Sequence, residues 1–91
     1  MSAPQLVTAV SVDEEQEDWD RRKEERRLHV FKMRGNLDKA EERWKYFVDR
    51  VDAGEINLLD KMFECNNRCI ELRDLVKELE QQYMAIYGER I

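Results

Sequence analysis

Leu58, Met62, Cys65, Cys69, Leu72, Val76, Leu79, Tyr83 and Ile86 follow one another at alternating intervals of four and three residues, without a break. That spacing places one continuous apolar seam along an α-helix. A strand sends successive side chains to opposite faces, so it would scatter the same residues over both sides. Residues 58–86 are therefore expected to form a helix with one side that has to be covered. Both cysteines of the chain lie on this seam. Ile56, Leu59, Phe63 and Ile70 widen it toward its N-terminal end. The widened stripe exceeds what a two-stranded contact needs and suits packing against more than one neighbour.

A second seam precedes it. Val30, Met33, Leu37, Ala40, Trp44, Phe47 and Val51 are spaced by three and four in turn. Gly35 and Asn36 interrupt it, the glycine alone weakening a helix by roughly 1 kcal/mol. The two seams differ in phase by a four-residue step, which falls in "VDRVDAGEINLL" around Gly54. Two structures fit this step. One is a through-going helix with a stutter. The other is an αα-hairpin turning near Asp52 to Glu55, with Gly54 at the C′ position and Asn57 capping the next helix.

Composition agrees with long helices and no sheet. Of 91 residues, 41% are charged, and only three Gly and one Pro mark turns. The charged share far exceeds the roughly 25% of an average domain. One all-α domain is the expectation, with coiled-coil-type helices and a thin stability margin. A net charge of -5 argues against a general nucleic-acid binder, which presents a basic surface.

Upstream, residues 1–10 carry Leu6, Val7 and Val10 and read as a mildly apolar arm, either a disordered terminus or an extended arm that docks on a partner. Ser11 and Glu14 then form an S-x-x-E capping box, opening a polar helix over residues 11–34. Asp13, Glu14, Glu15, Glu17 and Asp18 put negative charge at the positive end of its dipole. Glu17 with Arg21 and Asp18 with Arg22 are favourable pairs four apart. Trp19 is the one large apolar group as far as Arg27. Such a helix is a solvated extension or a strip lying on another protein. The cluster Arg21, Arg22, Lys23, Arg26 and Arg27 reads as a salt-bridged face. Residues 35–91 make the coiled-coil or helical-hairpin region.

Little in the chain points to chemistry. Cys65 and Cys69 form a single C-x-x-x-C, whereas a structural zinc site takes four Cys or His ligands. They are expected as small buried apolar groups; in a parallel pair of chains Cys65 would meet its own copy. His29 lies between Leu28 and Val30 with no nucleophile close in sequence. There is no Gly-rich phosphate loop, nucleophile elbow or H-E-x-x-H. No catalytic, cofactor-binding or metal residues are expected, and no enzymatic activity. Trp44 and Phe47, with Tyr46 beside them, are either core or anchors for a partner's pocket.

No apolar run approaches the ~20 residues of a membrane span. The start "MSAPQLVTAVSV" lacks the basic beginning and long apolar core of a secretory signal. Ser2 and the ending "ERI" lack lipid-anchor motifs. An intracellular, cytoplasmic protein with free thiols is expected.

The segment "AIYGERI", residues 85–91, resembles the chain ends of small helical proteins lining ciliary microtubules. Ala85, Tyr87, Glu89 and Arg90 match that ending, while Ile86 and Ile91 stand where the family has aromatics. The resemblance implies a non-enzymatic structural protein held along a filament lattice.

The expected function is assembly by coiled-coil or helix-bundle packing, with copies of itself or other helical chains, without nucleic acid and without membrane insertion. The alternative is a small regulatory module that captures a partner helix or peptide. The residues expected to carry the contact are Trp19, Leu37, Trp44, Phe47 and Val51, then the seam Leu58, Met62, Cys65, Cys69, Leu72, Val76, Leu79, Tyr83 and Ile86.

Overall fold

Two helices and a tight turn make up the described residues: α1, Ala3–Asp52, and α2, Leu59–Tyr87, with one turn of 3-10 helix, Ile56–Leu58, between them. The computed structural model describes the backbone over residues 3–91 and the side chains over residues 14–91. Of the two arrangements that the sequence permits, the chain adopts the αα-hairpin.

The turn explains why. Gly54 takes φ +105°, a value an L side chain rarely adopts. Its N–H donates to the Val51 carbonyl at 2.9 Å, and the Glu55 N–H donates to the Arg50 carbonyl at 3.0 Å. These two bonds form a Schellman motif with Gly54 at C′, satisfying carbonyls that the end of α1 leaves free. A hydrophobic contact often joins the residues flanking such a motif; here Arg50 and Glu55 form an ion pair at 3.5 Å instead. The chain then re-enters helix through the 3-10 turn, with the Leu58 N–H on the Glu55 carbonyl at 3.0 Å. Asn57 is not the N-cap of α2. Leu58 stands there without a side-chain cap, because the 3-10 bonds already take up the N–H groups that a cap would serve.

α1 runs unbroken through Gly35 and Asn36 and begins at Ala3. Its backbone is thus already helical where an extended arm over residues 1–10 is expected from the sequence, and it passes through Ser11 rather than starting there. Pro4 sits in the first turn, where its missing N–H costs no hydrogen bond, and no glycine or second proline follows before Ser11. The side chains of Leu6, Val7, Val10 and the Ser11 cap lie outside the described residues.

The two seams cover each other. Val30 and Phe47 of α1 and Cys69, Leu72, Val76 and Tyr83 of α2 are buried. Met33, Leu37, Ala40, Trp44, Val51, Leu58, Met62, Cys65 and Leu79 are half-buried along the same line. Ile86 departs from the expectation, standing 41% exposed. A strict seven-residue repeat drifts about 20° per heptad on a straight helix. Four heptads after Leu58 that drift has carried Ile86 off the contact line, and Tyr87 has come into its place against Trp19, ring centroids 5.2 Å apart.

Ion pairs flank the seams. The Arg34 guanidinium donates to Glu80 at 3.1 Å, and Arg73 donates to Glu41 at 3.2 Å. These rungs lie one heptad apart on both helices, with the cation on α1 in the first and on α2 in the second. Lys23 reaches Glu89 at 2.8 Å beyond the end of α2.

Candidate functional site

Most of the expected contact residues are consumed inside the chain. Phe47, Cys69, Leu72, Val76 and Tyr83 form the core, and Leu37, Trp44, Val51, Leu58, Met62, Cys65 and Leu79 line its edges. The seam residues 58–83 thus meet α1. Cys65 faces α1, half-buried beside Ala40, Arg43 and Phe47. Trp19 stays 48% exposed but rests edge-on against Tyr87 at an interplanar angle of 72°.

Among the large apolar residues left outside, beside Leu28, Phe31, Tyr46, Leu75, Met84 and Ile86, are three that widen the second seam. Ile56 is 65% exposed, Phe63 53% and Ile70 45%. They recur one heptad apart, Ile56 in the 3-10 turn and the other two on α2, with half-buried Leu59 between. On a helical projection of α2, Phe63 and Ile70 lie well over 90° from the buried line through Cys69 and Val76, so the hairpin has no helix to set against them. A large apolar row left in water is costly at roughly 25 cal/mol per Å². Among the described residues, six apolar side chains are buried to support it. The row is the candidate functional surface, and the sequence signals it as the excess width of the stripe.

A second cluster holds the far end of the hairpin. Gly88 takes φ +68°, and its N–H donates to the Met84 carbonyl at 2.8 Å, ending α2 and turning residues 89–91 back. Arg34 donates through Nη2 to the Ile91 carbonyl at 3.0 Å while it holds Glu80, and its guanidinium lies 5.6 Å from the centre of the Phe31 ring. Lys23 sits 5.7 Å from the centre of the Tyr87 ring, and its bond to Glu89 raises the pKa of its ammonium. The sequence shows each of these residues but not their pairing, which depends on a fold-back set by Gly88. The basic cluster behaves as a salt-bridged face: Arg22 pairs with Asp18 at 3.0 Å, and Arg27 with Glu24 at 2.9 Å. Arg21 pairs with Asp18 rather than with Glu17.

The thiols are free and lie beside different grooves of the hairpin. Cys65 lines a groove of about 290 Å³ with Arg43, Lys61 and Arg68. Cys69, 3% exposed, borders another groove with Glu41, Trp44 and Arg73. Burial pushes the Cys69 thiol up from its ordinary value; the Glu41 carboxylate adds to this and Arg73 opposes it. Among the described residues, no group of three His, Cys, Asp or Glu side chains could hold a metal ion. No helix among them is long and apolar enough to cross a membrane.

The chain matches no protein-family model, no curated protein and no solved structure.

Proposed function

We propose that this chain is a non-enzymatic structural subunit, a helical hairpin that takes its place in a larger assembly by packing helices of neighbouring chains onto the outer row of α2. The observation that carries this reading is the exposed heptad row Ile56, Phe63 and Ile70 on a hairpin whose inner seams are already closed. Large apolar rows of this kind mark sites of association. The surface around it is dense in charge, which favours solubility.

An intracellular, cytoskeletal setting, including the lining of ciliary microtubules, goes with this reading. Its support is the resemblance of residues 85–91, whose Glu89 and Ile91 in this chain tie the end of α2 to Lys23 and Arg34. The alternative function, a regulatory module that captures a helix or peptide, is favoured by one feature: the hairpin closes both of its own seams within a single chain.

Sedimentation equilibrium with helical circular dichroism over a concentration series separates the two. An assembly subunit gains mass and melting temperature with concentration. A monomer whose melting temperature ignores concentration overturns self-assembly and leaves the binding module.

A further inference from the structure

We propose that the groove beside Cys65 binds a small amphiphilic anion, an acid group carried on an apolar body. The site does not depend on how the chain assembles, since its cations Lys61 and Arg68 stand about 160° round α2 from Phe63 and Ile70 of the outer row.

Both helices build the groove. Its volume of about 290 Å³ is near the lower end of small-ligand pockets. The floor is apolar: Phe47 is buried, and Ala40 and Cys65 are half-buried. Arg43 of α1 and Lys61 and Arg68 of α2 are exposed around it. The Arg43 guanidinium lies 5.9 Å from the centre of the Phe47 ring, so one cation stands beside the floor itself. An apolar floor with a cationic rim complements a molecule that is apolar at one end and negative at the other.

The acids nearby turn away from this rim. Glu64 also lines the groove, and Asp60 and Glu71 follow it within two turns of α2. At 100° per residue, Lys61 and Arg68 lie within about 60° of the buried line through Leu72 and Val76, whereas the three acids lie about 100–140° from it. The cations therefore border α1, and the acids face outward. Among the described residues, neither Arg43 nor Lys61 has a carboxylate within ion-pair distance. Arg68 meets Glu71 at 3.6 Å, with both side chains well exposed. A bound anion would give these cations the partner that the fold does not.

Two other grooves lack the combination. The one beside Cys69 carries Lys45 and Arg73, but Arg73 already holds Glu41 at 3.2 Å. The one beside the fold-back has Lys77 and Arg90 with Met84 and Ala85, which are exposed and offer an apolar body little burial.

The test uses the full chain and two fluorescent probes, anilinonaphthalene sulfonate and its uncharged analogue phenylnaphthylamine. The sulfonate is expected to bind about tenfold more tightly, the sum expected of two exposed ion pairs, and to lose that margin as salt is added. Arg43→Gln with Lys61→Gln should remove the margin and leave the uncharged probe's affinity unchanged, while Lys77→Gln leaves both unchanged. In a Cys69→Ala background the bound sulfonate should slow alkylation of Cys65 by iodoacetamide several-fold. Equal affinity for the two probes, an unaltered margin in the double variant, or undiminished labelling of Cys65 overturns the site. A sulfonate signal that vanishes as sedimentation shows the chain associating gives the groove to a neighbouring chain and overturns the small-molecule occupant. Circular dichroism of each variant confirms that the hairpin is intact before its result is counted.

Discussion

Trp19 meets Tyr87 edge-on at 5.2 Å, although the two stand near opposite ends of the chain. This contact joins α1 to the last residue of α2. Of the described side chains before it, Glu14 to Glu17 are exposed and Asp18 is half-buried. Replacing Tyr87 with Ala should strip one side of the indole. An edge-to-face pair contributes about 0.5–1.5 kcal/mol beyond its buried area. Trp19 emission should move to longer wavelength and quench more readily with iodide; an unchanged spectrum would deny the contact in solution. Trp44 is silenced for this measurement by a Trp44→Phe background.

The three glycines divide by backbone rather than by space, since none has a neighbour within 4 Å of an added Cβ. Gly54, at φ +105°, should not tolerate a side chain. Gly54→Ala is expected to lose about 1–2 kcal/mol in urea denaturation. Gly35 lies within α1, so Gly35→Ala should gain up to about 1 kcal/mol. Equal effects at the two positions would contradict the turn.

Leu72, 4% exposed, is now a residue of the hairpin core. Leu72→Ala should cost about 2–5 kcal/mol, enough to unfold much of a chain with so few buried side chains. Phe63→Ala, on the exposed row, should leave the monomer's stability within about 0.5 kcal/mol. Thermal melts at a concentration too low for association compare the two, and a large loss at Phe63 would mean that the row is covered from within.

The Cys69 thiol carries a pH signature. Its folded-state pKa is raised, so its contribution is fully present below the unfolded thiol value of about 8.5 and is lost as pH rises through the folded value. Denaturation midpoints should therefore fall above about pH 8.5, and Cys69→Ala should flatten that slope. Iodoacetamide near pH 8 should label Cys65 first, with Cys69 following only as the hairpin opens. Simultaneous labelling of both would place Cys69 outside the core.

Both seams could be read from the sequence because heptad spacing is local and each residue reports its own phase. The choice between hairpin and continuous helix could not, since a four-residue offset is the same whether it arises from a stutter or from a turn. Only the positive φ of Gly54 decides it. Asn57 has the chemistry of a cap, yet the 3-10 turn makes that chemistry unnecessary. The pairings of Arg34 with Glu80 and Ile91, and of Lys23 with Glu89, depend on the register of two segments far apart in sequence, about which neither segment carries a local mark. Ile56, Phe63 and Ile70 were visible as surplus width, and the fold shows that the hairpin leaves that surplus uncovered.

The reversed polarity of the two rungs has a consequence for sliding. If α2 slipped along α1 by one heptad, the seams would still interdigitate, so apolar packing alone would tolerate the error. Slipped one way, Arg34 would leave Glu80 and confront Arg73. Slipped the other way, Glu41 would leave Arg73 and confront Glu80. Each misstep exchanges an attraction for a repulsion, so the four charges at Arg34, Glu41, Arg73 and Glu80 act as a detent that holds two otherwise smooth ratchets in a single notch.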